Sequence, residues 1–218
     1  MLNPNLKFSS TWYKIVLDSQ LSYEILNLNQ NDNITWTTSN VILINIHGLL
    51  SVIKKYTSKS SNIIYLNISN TAIFLPVNTK YNMYKLQALK PTMILVLLYS
   101  DIINNLKLLD NLKELQMRSL KQQLLFAESF MFIFMQNTIK KKLVVFLLTL
   151  SKESGMVSKL GIKINLFLSH AYLSEALGIS RASITRSVNE LKKKLIFINK
   201  QIFIIPNPIS LTNFVINK

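Results

Sequence analysis

Residues 169–194, SHAYLSEALGISRASITRSVNELKKK, set out a short helix, a tight turn and a second, basic helix in the spacing used by proteins that read DNA. Ala171, Leu173, Ala176 and Leu177 mark the expected buried face of the first helix, and Gly178 offers the positive-φ position at which such a helix stops. Ser180 then stands where a cap is needed. From there Ile184, Val188 and Leu191 return at helical spacing, which predicts that Arg181, Ala182, Ser183, Thr185 and Arg186 lie on the opposite, exposed side. That side can enter a major groove.

The charge distribution points the same way. The formal net charge is +15 over 218 residues, and residues 139–218 hold 13 Lys/Arg against 3 Asp/Glu, whereas residues 1–138 hold 12 against 7. Positive charge gathered around a helix-turn-helix suits a polyphosphate partner, because each neutralised phosphate releases condensed counterions. The length suits two modest domains with separate cores.

Composition excludes several classes. Without cysteine there are no disulfides, no thiolate-held iron–sulfur cluster and no thiol sensing. His47 and His170 are far apart and lack ligand-type spacing, so no metal is expected, and His170 reads as a first-turn helix residue. The longest apolar runs, Met93 to Tyr99 and Leu143 to Leu150, are far shorter than the roughly 20 residues a bilayer span needs. The first residues, MLNPNLKFSSTWYKIVLDSQ, carry neither the apolar block of a secretory signal nor the Arg-rich look of a transit sequence, so the chain is expected to stay where it is made. No glycine-rich phosphate loop, metal-ligand set or nucleophile–base pair stands out, and no enzyme activity is expected.

Upstream, residues 21–99 read as short β segments with polar breaks at Thr57 to Ser61 and Asn78 to Tyr81: Asn40 to His47, Leu49 to Tyr56, Asn62 to Ser69, Ala72 to Val77 and Met93 to Tyr99. Their spacing predicts a small antiparallel roll or barrel. Gly48 is the only glycine before Gly155, so an eroded roll short of glycine turns is expected. From Asn104 to Met135 the period changes. Leu106, Leu109, Leu112, Leu115, Leu120, Leu124, Ala127 and Met131 form the stripe of one long helix, and Leu125, Phe126, Phe130, Phe132, Ile133 and Phe134 widen it beyond what one neighbouring sheet would cover. Such a helix is expected to meet its own copy. After a break at Gln136 to Ile139 come a helix at Lys140 to Ser154, a short strand at Lys163 to Leu168, the helix-turn-helix, and a hairpin at Ile196 to Ile205 placed as a wing. Pro206 and Pro208 end it, with a short tail packing back.

The runs KKLVVFLLTLSKESG (Lys141 to Gly155) and INLFLSHAYLSEALGISRASITRSVNELKKK (Ile164 to Lys194), with the PNPISL tail (Pro206 to Leu211), resemble the CRP/FNR superfamily, most of all its global nitrogen regulators and their plastid-encoded relatives. The resemblance implies an α+β fold: a β-roll of the cyclic-nucleotide-binding type over residues 1–103, a long dimerisation helix over 104–136 and a winged helix-turn-helix over 137–218. It implies a transcription regulator, expected to be an activator of nitrogen-related genes, that binds palindromic operators as a homodimer, touches RNA polymerase and works in a plastid stroma, or in the cytoplasm if not organelle-encoded.

By that resemblance Arg181 and Arg186 are the paired recognition-helix arginines, able to donate twice to guanine. Ala182 stands between them where cyclic-AMP-dependent members have Glu and nitrogen regulators Val. A small apolar side chain can meet a thymine methyl but cannot accept from cytosine, which implies GTA and TAC half-sites over a TGTGA arm. Ser169, Ser180, Ser183 and Thr185 are candidate phosphate or cap residues. Nothing between Asn70 and Pro91 supplies a cyclic-nucleotide phosphate cassette. The 2-oxoglutarate positions of the nitrogen regulators fall on Asn82, Gln123 and Glu128, of which only the glutamate keeps its type; Lys80, Lys85 and Lys121 are the nearby cations. No cofactor is expected. A competing expectation is a non-catalytic dimeric scaffold whose operator binding has drifted.

Overall fold

A computed structural model describes residues 11–36, 40–55, 61–73, 83–103, 105–166, 168–192, 197–199 and 202–216. The chain divides into two compact units, residues 1–56 with 65–124 and residues 57–64 with 125–218. Helix and strand are both plentiful.

The described residues begin with a helix, α1 (Thr11–Asp18), in a stretch to which the sequence reading assigns no element. Among the described residues eight strands follow: β1 (Tyr23–Leu28), β2 (Asn33–Trp36), β3 (Val41–His47), β4 (Leu49–Lys55), β5 (Ser61–Ile68), β6 (Thr71–Ile73), β7 (Met83–Ala88) and β8 (Thr92–Leu98). They form two four-stranded sheets in the orders β1-β8-β3-β6 and β2-β7-β4-β5. The antiparallel roll is therefore present, with β1, β2 and β7 added to the five segments named above and Tyr99 moved from the last strand into a short helix, α2 (Tyr99–Ile103). Segments 56–60 and 74–82, where breaks and the end of the Ala72 strand are expected, lie outside the described residues, except that Ser61 already belongs to β5. The central strands β3 and β8 are buried almost continuously, as strands covered on both faces are, while β7 alternates. Ile42, Ile44, Ile46, Met93, Leu95 and Leu97 meet Trp12 and Val16 of α1 in one core.

The shortage of glycine is met by asparagine. Asn31 (φ 76°), after β1, and Asn70 (φ 62°), between β5 and β6, take the left-handed conformation that asparagine tolerates better than other non-glycine residues. Gly48 does what asparagine cannot. At φ 109° between β3 and β4, a Cβ there would lie 2.4 Å from Thr92 Oγ1 and 2.6 Å from the Pro91 carbonyl oxygen.

The long helix α3 (Leu106–Phe134) has two apolar faces instead of the one broad stripe anticipated. Leu108, Leu112 and Leu115 join the core of the first unit. Farther along, Phe126, Phe130 and Ile133 are buried in the second unit, where Phe130 lies 6.0 Å from Phe146 between ring centroids. The other face is exposed: Met117, Leu120, Leu124, Ala127, Met131 and Phe134 follow one another at spacings of three and four residues. This is a heptad seam, and Leu124 (62% exposed) and Met131 (66% exposed) stand at its centre.

In the second unit α4 (Ile139–Ser154) is capped by Thr138, whose side chain accepts from the Lys141 N–H. Its Leu143, Val144, Phe146, Leu147 and Leu150 are fully buried. A hairpin follows, β9 (Gly155–Ser158) with β10 (Gly161–Ile164), in place of the single strand expected at Lys163 to Leu168. Leu166 and Leu168 are buried but outside any strand, which is why the apolar run suggested one. Then come α5 (His170–Leu177), α6 (Arg181–Lys192), β11 (Phe197–Asn199), β12 (Ile202–Ile205) and α7 (Pro208–Ile216). The sheet runs β11-β12-β10-β9, so the hairpin behind α6 is anchored through β12. The tail is a helix. Pro208 suits its first position, where no N–H partner is needed, Asn207 Oδ1 accepts from the Ser210 N–H at 3.1 Å, and Leu211 is buried.

Replacing Gly48 with Ala is expected to cost about 1–3 kcal/mol from backbone strain alone, with the clash added, whereas Asn70→Gly stays within about 1 kcal/mol of the parent. Urea unfolding of the full chain measures both.

Candidate nucleic-acid interface

The helix-turn-helix is built by three local devices. Ser169 adopts an extended backbone and its Oγ accepts from the Tyr172 N–H at 3.0 Å, closing the first turn of α5. Gly178 ends α5 in the left-handed region (φ 63°), with its N–H donating to the Ser174 carbonyl, as its position in the sequence indicated. Ser180 Oγ accepts from the Ser183 N–H at 3.2 Å and donates to Ser183 Oγ at 2.9 Å, capping α6.

The buried face of α5 is rotated slightly from the expected one. Tyr172, Leu173, Ala176 and Leu177 are buried, while Ala171 is exposed. The correction has a physical cause: Tyr172 packs its ring 6.5 Å from that of Phe146 on α4, and this large contact decides the rotation over the small Ala171. In α6 Ile184, Val188 and Leu191 are buried as anticipated, joined by Ser187. Arg181, Ala182 and Arg186 are exposed, and Ser183 and Thr185 are half-covered. At about 100° per residue, Arg181, Thr185, Ala182 and Arg186 spread over an arc of about 140° opposite the buried side.

The half-covered pair differ in what they can still donate. Thr185 Oγ1 donates to the Arg181 carbonyl at 2.9 Å and also touches His170 Nδ1 at 2.9 Å, so its proton is committed inside the motif. Ser183 receives a bond from Ser180, which leaves its own hydroxyl proton to point outward. The His170–Thr185 contact escaped the sequence, because residues 15 apart on different helices carry no shared period. Glu190, the exposed acid of α6, is paired with Lys140 of α4. At the wing, the side chains of 197–199 and residues 193–196, 200 and 201 lie outside the described residues.

Of the proposed effector positions, Asn82, with Lys80 nearby in sequence, lies outside the described residues. Gln123 is half-buried on α3 with its Nε2 shielded and without a hydrogen-bond partner among the described residues, and Glu128, five residues on, is exposed. Neither residue carries the positive charge that pairs with a dicarboxylate. The buried polar atoms of the roll are likewise uncharged: Asn45 donates to the Asn67 carbonyl at 3.1 Å, Asn67 donates to Thr71 Oγ1 at 2.9 Å, and Ser119 of α3 accepts from the Ala72 N–H at 2.9 Å. Burial, with Tyr84 nearby, pushes the Tyr65 phenol above its ordinary range and keeps it neutral. Among the described residues no group of three or more His, Cys, Asp or Glu could hold a metal ion.

Residues 141–214 match the Crp-like helix-turn-helix domain family. Over 205 residues the chain is 28% identical to the HTH-type transcriptional regulator ycf28 of Porphyra purpurea, covering 92% of this chain and 86% of that one. This stretch is a Crp-like helix-turn-helix domain. The chain is also 30% identical over 136 residues to the global nitrogen regulator of Nostoc sp. strain PCC 7120, covering 62% of this chain and 61% of that one. A solved CooA variant from Carboxydothermus hydrogenoformans shares the fold with a TM-score of 0.72 at 15% identity, covering 95% of this chain and 96% of that one. A CRP-family transcriptional regulator from Thermus thermophilus gives 0.71 at 12% identity, covering 87% and 96%.

The chain is thus a transcription regulator with a Crp-like helix-turn-helix, similar to the global nitrogen regulators, and the relatives it matches are regulators and not enzymes. No described helix is long and apolar enough to cross a membrane. Ser180→Ala should lower the stability of the full chain by about 1 kcal/mol through loss of the cap, and Ser180→Asp should retain it; thermal unfolding distinguishes them.

Proposed function

We propose that the chain binds palindromic operators as a homodimer and activates nitrogen-related genes. The observation that carries this reading is the pairing of two exposed surfaces: the Arg181, Ala182, Arg186 face of α6 and the heptad seam of α3. Two copies joined along Met117, Leu120, Leu124, Ala127, Met131 and Phe134 would bury side chains that otherwise meet water. Such a dimer presents two copies of α6, as required by half-sites about one helical turn apart.

Arg181 and Arg186 read guanine, and Ala182 meets a thymine methyl, which favours GTA and TAC arms over a TGTGA arm. Ser183 and Ser169 hold phosphate through hydroxyl protons that their caps leave over; Ser180 caps α6, and Thr185 braces it. Activation proceeds by contact of the bound dimer with RNA polymerase. We assign the protein to a plastid stroma, in keeping with an Asn-, Ile- and Lys-rich composition of the kind an A/T-rich genome imposes and with its similarity to the Porphyra protein. Control by 2-oxoglutarate is absent from this reading, because Gln123 and Glu128 offer no positive charge.

Fluorescence anisotropy with a duplex carrying GTA and TAC arms against a scrambled duplex tests the reading. Arg186→Ala should cost about 1–3 kcal/mol on the operator and much less on the scrambled duplex. Equal affinity of the parent protein for both duplexes would favour a dimeric scaffold. Millimolar 2-oxoglutarate should leave both affinities unchanged.

Leu124→Glu places a charge in the seam without disturbing a buried core. It should shift sedimentation from dimer to monomer and weaken operator binding by at least tenfold, with thermal stability of the monomer unit preserved.

A further inference from the structure

His170 follows the Ser169 cap at the start of α5, and its Nδ1 lies 2.9 Å from Thr185 Oγ1 in α6. The threonine hydroxyl also lies 2.9 Å from the Arg181 carbonyl, so its one proton and its lone pairs are shared between that carbonyl and the ring. Whichever partner donates, Nδ1 and Oγ1 are joined by one directional bond between the two helices.

We propose that His170 is a positioning residue for base reading, setting the angle at which α6 is held to α5. The inference rests on the DNA-reading function proposed above. Much of the buried surface of the two helices is apolar, with Leu173, Ala176 and Leu177 on α5 and Ile184 and Val188 on α6. Apolar burial is non-directional and leaves helices free to roll by small amounts. The Gly178–Ser180 turn ties the end of α5 to the start of α6. His170 ties the other end of α5 to the second turn of α6, so the crossing is held at two points, one covalent and one directional.

Thr185 lies between Arg181 and Arg186 in angle around α6, and its hydroxyl also bonds back to the Arg181 carbonyl. A roll of α6 about its own axis would move both arginines and Ala182 together. Base edges demand placement within about 0.5 Å and 10–20°, whereas phosphate contacts by long basic side chains tolerate more. Loss of the tie should therefore reduce discrimination between operators and leave general DNA affinity in place.

The experiment compares His170→Ala, His170→Asn, Thr185→Val, Thr185→Ser and the His170→Ala/Thr185→Val double variant in the full chain. Affinities are measured for the GTA/TAC duplex and its scrambled counterpart, and 15N NMR reads hydrogen bonding at the imidazole Nδ1. Loss of one directional hydrogen bond predicts that His170→Ala and Thr185→Val each lower the operator-to-scrambled ratio by roughly tenfold. Their scrambled-duplex affinity should stay unchanged, and the double variant should be no worse than either. His170→Asn, whose amide can stand in for Nδ1, and Thr185→Ser should keep the parent ratio.

A ratio unaffected by His170→Ala, additive losses in the double variant, or an Nδ1 whose 15N shift shows no hydrogen bond overturns the positioning role. Should His170→Ala fail to fold, the Thr185→Val and Thr185→Ser pair decides alone. A parent protein that does not discriminate between the duplexes overturns the DNA-reading function, and the positioning role with it; discrimination that survives both single variants overturns the positioning role only.

Discussion

Helix α3 must satisfy two apolar faces at once, and the rest of the molecule is arranged around that constraint. Its inner face supplies Leu108, Leu112 and Leu115 to the core of the roll and Phe126, Phe130 and Ile133 to the core of the second unit. With those side chains committed, the helix cannot rotate to hide Met117, Leu120, Leu124, Ala127, Met131 and Phe134. Exposed Asp110–Lys113 and Glu114–Arg118 pairs at the start of the helix add little energy at the surface. An exposed apolar row of this length marks an interaction surface.

The DNA-facing motif depends on a different economy, that of single hydroxyl protons. Ser169 and Ser180 each use their oxygen to accept from a helix N–H, which is the part of a hydroxyl that a cap needs. Thr185 is engaged internally, with the Arg181 carbonyl and with His170. Residues of similar chemistry in one short segment thus have separate duties, set by whether the donor or the acceptor half is already engaged. Charge follows a comparable division, with Glu190 of α6 turned to Lys140 while Arg181 and Arg186 occupy the outer arc.

These divisions explain what the sequence made legible. The turn at Gly178, the cap at Ser180 and the buried Ile184, Val188 and Leu191 depend on local chemistry and on a 3.6-residue period, both visible in one chain. The rotation of α5 was not visible, because Ala171 and Tyr172 are neighbours and the choice between them lies with Phe146, far away in sequence. Similarly, β9 has three exposed residues, Gly155, Met156 and Val157, and no alternation, so only its pairing with β10 makes it a strand. The tail helix α7 is too short to show a period, and its start is set by Pro208 and the Asn207 side chain. Asparagine turns at Asn31 and Asn70 kept the roll intact where a count of glycines argued for erosion.

The two units differ in how tightly their function constrains side chains. Under the proposed function, a surface that meets B-form DNA would face a partner of fixed spacing and charge, so basic residues at Arg181 and Arg186 and a small one at Ala182 would have few substitutes. In the roll, Asn45, Asn67, Thr71 and Ser119 join strand and helix through neutral hydrogen bonds, and Tyr65 and Gln123 add further uncharged groups to the same unit. These bonds tie β6 to α3 through groups whose partners are other neutral groups, so the contact needs no compensating charge and holds the long helix by geometry.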